Sequence, residues 1–158
     1  MKKTSRRTAR QHVFHLIFGL PFIGALDVPT LAKAKAAYFD FLEYSELEEY
    51  GFENLKRPTK RDAEYIDRAF WGVFERRAEL DGVIENFLRD WTIGRLNKAD
   101  LALMRLAIYE MLCEKDVPPA VAVNESVELA KLYGADESPA FINGVLGNVA
   151  RAWEKKEA

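Results

Sequence analysis

The sequence is poor in the residues and motifs on which most catalytic, metal-binding and secreted proteins depend. It has one cysteine, Cys113, so no internal disulfide can form, and only two histidines. The cysteine and the two histidines do not have the spacing of a zinc site. It contains no phosphate-binding loop, dinucleotide-binding glycine motif or hydrolase nucleophile motif. No uncharged apolar run is long enough to span a membrane. We therefore expect a soluble, cytoplasmic protein that is not an enzyme and has no metal and no cofactor.

The length and composition predict one domain over residues 1–158. A chain of 158 residues with 49% apolar content is long enough for one compact core and too short for two ordinary domains. Charged residues make up 30% of the chain, and there are no repeats or low-complexity tracts. These features argue against disorder.

The charge is unevenly distributed. The net charge is −2, yet residues 1–26 hold five Lys/Arg and no acid, which leaves −7 for the rest. Residues 36–55 hold six acids and no base. The acidic stretch is typical of a solvated helix face, whereas the basic start has three candidate explanations: a targeting signal, a solvated helix start or a site for a polyanion.

The basic start is better explained as a structural helix than as a signal peptide. The sequence that follows it, VFHLIFGLPFIGAL, resembles an apolar signal core, but His15 interrupts it and no small-residue cleavage site follows. Apolar residues instead recur at the spacing of an amphipathic helix that packs on a core: Ala9, Val13, Leu16, Ile17 and Leu20.

The hydrophobic pattern predicts about seven helices and no sheet. The first is capped by Thr4 or Ser5 and ends near Phe18, and the second runs from about Thr30 to about Tyr50. The third starts near Arg61, and the fourth runs from Glu79 to near Arg89. The fifth follows a cap at Asn97. The sixth starts at Pro118 or Pro119 and is ended by Gly134, and the seventh follows a cap at Ser138. The connection DWTIGRL is expected to anchor Trp91, Ile93 and Leu96 in the core.

The fifth predicted helix, LALMRLAIYEML, is apolar nearly all round, which indicates a central, surrounded position. Cys113 at its end is expected to be a small buried apolar residue. Arg105 lies inside this run and needs acceptors, for which Glu125 and Glu128 are the candidates.

The cations of the first helix suit a phosphate backbone. Arg6 and Arg10 are four residues apart, so we expect them to share one side of the helix with Arg7 nearby, opposite the Val13/Ile17 stripe. Arginine donates bidentate hydrogen bonds and stacks on unpaired bases, which favours single-stranded RNA. An arginine-rich helix start can also be simply a solvated surface. His12 and His15 are three residues apart on this helix, and packing explains them better than a metal site does.

Three long segments resemble the NusB family of bacterial transcription antitermination factors. They are RRTARQHVFHLIF, LNKADLALMRLAIYEML and DVPPAVAVNESVELAKLYGADESPAFINGVLGNVAR, and the likeness covers nearly the whole chain. The resemblance implies an all-α fold of about seven helices in two packed small bundles. It also implies binding of boxA-like single-stranded RNA of nascent ribosomal transcripts, together with the ribosomal protein NusE, on RNA polymerase.

The resemblance also implies roles for individual residues. The RNA-binding set is Lys2, Lys3, Arg6, Arg7, Arg10, Glu137 and Phe141, and the NusE-facing set is Phe18 and Asp100. Two of these have structural alternatives: Phe141 is spaced for core packing with Val145, and Asp100 is placed to complement a helix start. Family members also allow a homodimer.

Two other functions remain open from the sequence. One is a helical protein-interaction module that uses the acidic stretch or the Phe18 edge and binds no RNA. The other is a relative of the NusB-like N-terminal domain of RNA methyltransferases. The chain ends at Ala158 without room for a methyl-donor domain, which disfavours the second.

Overall fold

The described part of the chain is helical, as the sequence predicts. The computed structural model describes residues 2–20, 26–44, 55–89 and 91–157, without the side chains of residues 2–5, 44 and 157. These residues form seven α-helices and one 3-10 turn (Ile93–Arg95), and they contain no strand. The helices are α1 (Lys2–Phe18), α2 (Val28–Tyr44), α3 (Lys60–Glu75), α4 (Arg77–Phe87), α5 (Lys98–Cys113), α6 (Pro119–Tyr133) and α7 (Ser138–Glu157).

The chain divides into two compact units, Met1–Phe70 and Trp71–Ala158, with the boundary inside α3. The prediction of one domain over residues 1–158 therefore stays a prediction. No helix in the described ranges is long and apolar enough to cross a membrane. Half of the acidic stretch 36–55, residues 45–54, lies outside the described residues.

Short polar side chains fix the starts of three helices. Asp27 accepts a hydrogen bond from the Thr30 N–H (2.8 Å), so α2 begins earlier than predicted. Thr59 and Asp62 form a reciprocal pair at the start of α3: each side-chain oxygen accepts from the other residue's N–H, at 3.1 and 3.0 Å. Asn97 caps α5 through the Ala99 N–H, as predicted.

The predicted cap of α1 is wrong. α1 already begins at Lys2, so the backbone of Thr4 and Ser5 lies inside the helix rather than at its end. Four of the five predicted stripe residues of this helix are buried, and Leu20, which follows the helix, is half-buried. The core of the first unit adds Leu31 and Leu42 from α2 and, from α3, Tyr65, Ile66, Ala69 and Phe70.

In the second unit α5 is the central helix, with eleven of its residues buried. Arg105 does not pair with Glu125 or Glu128 as predicted. Its Nε and Nη2 donate to the two carboxylate oxygens of Asp81 on α4, at 2.7 and 2.8 Å. The pattern of α5 alone shows that the arginine needs an acceptor, but it does not show which neighbouring helix supplies one.

Three details of the second unit differ from the sequence expectations. Trp91 is 56% exposed because it lies between α4 and the 3-10 turn, where no helical register turns it inward; Ile93 and Leu96 are half-buried. Cys113 is also only half-buried. Ser138 is the first residue of α7 rather than its cap, and its Oγ accepts from the Ala135 N–H at 2.9 Å.

Gly134 ends α6 with an extended backbone rather than a left-handed one. The position requires a small residue for a different reason. A Cβ there would lie 2.6 Å from the Ser138 Cβ, closer than real side chains approach.

Candidate RNA-binding surface

The arginines of α1 do not share one outward side. Arg7 is exposed, Arg6 is half-buried and Arg10 is only 4% exposed. Residues 6, 10, 13 and 17 recur at helical spacing, so Arg6 and Arg10 lie on the same face as the buried Val13 and Ile17, not opposite it. The predicted outward array is therefore wrong for Arg10. Lys2 and Lys3 lie in α1 by their backbone, and their side chains are outside the description.

A stacking contact holds Arg6 at the edge of this face. Its guanidinium carbon lies 4.5 Å from the ring centroid of Tyr65 on α3, within the range of a cation–π interaction. The guanidinium of Arg68 lies 5.8 Å from the same ring. Both cations are therefore held near one aromatic ring in the first unit.

His12 attaches α1 to two other segments. Its Nε2 lies 2.7 Å from the Lys56 carbonyl oxygen, and its Nδ1 lies 2.7 Å from the Tyr38 hydroxyl. Because a carbonyl only accepts, Nε2 must carry the proton, which leaves Nδ1 to accept from Tyr38. Burial lowers the pKa of His12, although the Lys56 carbonyl and the Asp62 charge oppose the shift. The imidazole is thus neutral at neutral pH.

The two histidines do not form a metal site. Both ring nitrogens of His12 are engaged in hydrogen bonds within the first unit. Burial, with a smaller contribution from His12, lowers the pKa of His15 to about 4. Among the described residues no group of three or more His, Cys, Asp or Glu is placed to hold a metal ion.

Asp100, Glu137 and Phe141 all lie in the second unit. Asp100 is 6% exposed, and a hydrogen bond links its carboxylate to the Ser138 side chain. Its Oδ1 is buried without a hydrogen-bond partner. Burial raises the pKa of Asp100, and the nearby charge of Glu137 adds to the rise. The carboxylate lies inside the surface rather than projecting from it.

Glu137 and Phe141 adjoin this group at the start of α7. Glu137 is exposed and Phe141 is half-buried, and the Phe141 N–H donates to the Glu137 carbonyl at 3.1 Å. The two side chains therefore lie about one helical turn apart on the same side.

Phe18 ends α1 and is 44% exposed. It stacks on the buried Phe14 with the ring centroids 5.4 Å apart and an angle of 14° between the rings. The stack supports an exposed aromatic surface at the end of the helix.

The predicted residues therefore fall into two sets, one in each unit: Arg6, Arg7, Arg10 and Phe18 in the first, and Asp100, Glu137 and Phe141 in the second. Sequence reasoning did not identify His12 as the anchor of α1. The available signal was a histidine inside an apolar helical stripe, a position where a polar side chain needs partners.

Comparison with known proteins identifies the family. The NusB family model matches residues 7–151. The chain belongs to the NusB family. A transcription antitermination protein NusB of Nitratidesulfovibrio vulgaris is 38% identical over 153 residues, which cover 97% of this chain and 92% of that protein. The NusB relatives are antitermination proteins, which confirms the expectation of a chain that is not an enzyme.

Solved NusB structures share the fold. The structure of NusB from T. maritima has a TM-score of 0.73 and 33% identity, and the match covers 97% of both chains. A structure described as the antitermination factors NusB and NusE in complex with double-stranded RNA has a TM-score of 0.71 and 23% identity, covering 94% of this chain and 98% of that one. These matches confirm the predicted all-α fold.

Proposed function

We propose that this chain is a transcription antitermination factor that binds boxA-like single-stranded RNA together with NusE, in the cytoplasm, as part of an RNA polymerase antitermination complex. Membership of the NusB family supports the proposal. The observation that carries it is the basic end of α1, where Arg7 is exposed and Arg6 is stacked on Tyr65.

The chemistry of this end fits an RNA strand. Guanidinium groups donate to phosphate oxygens in pairs and stack on unpaired bases. Arg6 is already oriented by the Tyr65 ring, so binding loses less side-chain freedom than it would for a fully solvated arginine. On the second unit, Phe141 supplies a half-buried ring for base stacking beside Glu137.

The test is a titration of boxA-like RNA at several salt concentrations. If about four phosphates are contacted, the affinity falls roughly 50-fold between 50 and 200 mM salt, because each contact contributes about −0.7 to the logarithmic slope. Arg7→Ala should weaken binding and make the slope about 0.7 shallower. Arg95→Ala, which removes an exposed arginine of the 3-10 turn, is the matched control.

Equal binding by Arg7→Ala and the parent at low salt would contradict the site. Arg10→Ala is a poorer probe because Arg10 is buried, so it must be accompanied by a measurement of unfolding.

A protein-interaction role is the second candidate, favoured by the exposed Phe18 on its Phe14 stack. The same titration with and without NusE separates the two. An increase in RNA affinity on adding NusE, lost in Phe18→Ala, supports Phe18 as part of the NusE surface. Binding of NusE by a chain that binds no RNA under either condition favours the interaction module.

A further inference from the structure

A second basic segment lies in the first unit, outside every residue assigned to RNA above. Residues 55–61 read LKRPTKR, with four cations and no acid. All four cations are exposed: Lys56, Arg57, Lys60 and Arg61. The segment leads directly into α3.

Two contacts place this segment alongside α1. His12 on α1 bonds to the Lys56 carbonyl, and Arg6 on α1 stacks on Tyr65 of α3. His12 follows Arg6 in the sequence, whereas Lys56, which contacts His12, precedes Tyr65, which contacts Arg6. The two segments therefore run antiparallel. Residues 57–64 therefore connect two points of contact with α1, at His12 and at Arg6, which are about 9 Å apart along the helix at 1.5 Å per residue.

Two arginines of α3 and one of α1 form a basic row beside Tyr65. Arg61 precedes Tyr65 by four residues, and Arg68 follows it by three, so these side chains share one side of the helix. Arg6 reaches the Tyr65 ring from α1, and the Arg68 guanidinium lies near the same ring. The row of Arg61, Arg6 and Arg68 is about 10 Å long, comparable to the Debye length at physiological salt, so its charges act together.

Two of the acids near the start of α3, Asp62 and Asp67, are engaged by groups other than Lys60 and Arg61. Asp62 is buried and its carboxylate accepts from the Thr59 N–H, so its position is fixed by the helix cap. Asp67 pairs with Lys35. Among the ion pairs of the described residues, none includes Lys60 or Arg61. Glu64 is an exposed acid on the same stretch.

The surface has the chemistry of a polyanion site rather than of a protein interface. The exposed large apolar residues of the described chain include none between residues 55 and 70. Protein interfaces depend on buried aromatic or aliphatic anchors, whereas phosphate backbones are bound through clustered Lys and Arg.

We propose that the α3 basic row, Arg61, Arg6 and Arg68 together with Lys60, binds the sugar–phosphate backbone of the RNA strand that contacts α1 and so lengthens the bound segment. This inference rests on the proposed RNA-binding function. The contacts are to phosphates, so they add affinity without reading the sequence.

The test uses the double variant Lys60→Gln/Arg61→Gln and RNA oligonucleotides of about 4 to 16 nucleotides that share one boxA-like core. Both side chains are exposed, so the fold is expected to persist, and thermal unfolding checks this. On the longest RNA the salt slope should become shallower by about 1.4, the loss of two phosphate contacts. On the shortest RNA it should not change. Lys155→Gln/Lys156→Gln, at the exposed end of α7, is the matched control and should bind like the parent.

Glu64→Gln provides a test of opposite sign. Removing this carboxylate should tighten binding of the long RNA and leave the short one unchanged, because only the long strand passes the row. A variant that unfolds cannot bind more tightly, so a gain in affinity cannot result from misfolding.

Four distinguishable results would overturn the proposal. If the parent binds RNA and the double variant keeps the parent's slope at every length, the extension is wrong while the proposed function stands. An equal loss on the shortest and longest RNA, or a loss of NusE binding with RNA binding intact, also contradicts it. If the parent binds none of the oligonucleotides, the proposed function itself fails.

Discussion

At the scale of single residues, three buried or half-buried polar side chains should make the stability of the protein depend on pH. His12 and His15 are held with pKa values below the ordinary value of 6.5, in both cases mainly by burial. Asp100 is held above its ordinary value by burial. The histidine shifts make stability fall as the pH is lowered, whereas the Asp100 shift makes it fall as the pH is raised.

Mild acid should destabilise the protein through His15. Its pKa of about 4 lies below 6.5, so between these values the unfolded state binds more protons than the folded state. The stability contribution is complete above pH 6.5 and is lost as the pH falls toward 4. We expect a loss of about 1 kcal/mol between pH 6.5 and 5, allowing for partial solvent contact.

Urea unfolding at several pH values between 5 and 7 measures this effect, in a range where ordinary carboxylates titrate little. His15→Gln should show a shallower dependence. Parallel losses in the variant and the parent would assign the acid sensitivity to other groups.

Asp100→Asn should stabilise the protein near neutral pH. A raised carboxyl pKa means that the folded state binds protons more tightly than the unfolded one, so this group's contribution falls as the pH rises through the window above 3.8. At pH 7 the asparagine amide replaces a carboxylate whose charge is partly desolvated. We therefore expect the free energy of unfolding to rise by about 0.5–1 kcal/mol.

The gain should shrink toward pH 4, as measured by thermal unfolding. Asp136→Asn, at an exposed position of the same unit, should change stability by less than about 0.5 kcal/mol at either pH. A loss of stability in Asp100→Asn at pH 7 would show that the hydrogen bond between the carboxylate and Ser138 outweighs the cost of desolvating the charge.

At the scale of helices, the close approach of α3 and α5 depends on Gly72. A Cβ at this position would overlap the ring of Tyr109, which is buried. Gly72→Ala should cost about 1–3 kcal/mol through overpacking, which exceeds the usual helix gain of about 1 kcal/mol for alanine over glycine.

Gly82→Ala on α4 is the matched control for unfolding measurements. A Cβ there meets nothing within 4 Å, so the substitution should stabilise by about 0.5–1 kcal/mol. A gain of similar size in Gly72→Ala would show that Tyr109 moves aside at little cost.

The bidentate pair between Arg105 and Asp81 should be a second sensitive link, between α5 and α4. Asp81→Asn removes a charged acceptor from a guanidinium that is 13% exposed, and we expect a loss of about 1.5–3 kcal/mol in urea unfolding. Glu79→Gln breaks the exposed Arg76 pair instead and should cost less than about 1 kcal/mol. Equal costs would mean that the Asp81 pair is as solvated as the surface one.

The sequence predicts the helices better than their contacts. Hydrophobic spacing located all seven, because a buried stripe must recur with the helical period, and Asn97 was identified because a cap is a local signal. The partner of Arg105 was not predictable, because periodicity shows which face of a helix is buried and not which helix covers it. Trp91 was misplaced for a related reason, since outside a helix a large apolar side chain carries no directional information.

The candidate site was predicted only in part. Family resemblance supplied Arg6, Arg7 and Arg10, but helical spacing alone places Arg6 and Arg10 on the Val13/Ile17 face, where Arg10 is buried. The cations of segment 55–61 were not predicted as part of the site, because their proximity to α1 follows from the His12 and Arg6 contacts rather than from any local pattern. The RNA and NusE contacts of the named residues stay predictions.

At the scale of the whole molecule, an acidic chain presents basic surfaces of fixed charge. The net charge is −2, yet the cations of α1 and of segment 55–61 are all Lys and Arg. The described histidines are held neutral and do not add to the basic surfaces as the pH falls toward 6.

RNA affinity should therefore be nearly independent of pH between 5.5 and 7, changing by less than about twofold at constant salt. Fluorescence anisotropy with labelled RNA at matched ionic strength measures it. A tenfold tightening at pH 5.5 would show that a histidine becomes charged in the complex.

The bonds of His12 also join parts of the chain that are synthesised at different times. Tyr38 follows His12 by 26 residues, and Lys56 follows it by 44. At about 5–20 residues per second, the ribosome produces the Lys56 carbonyl roughly 2–9 s after His12. A nascent chain that has not reached Lys56 carries the α1 arginines without the carbonyl that binds His12 and without the Tyr65 ring that stacks on Arg6. The proposed RNA-binding end is therefore completed by the synthesis of α3, although its arginines are among the first residues made.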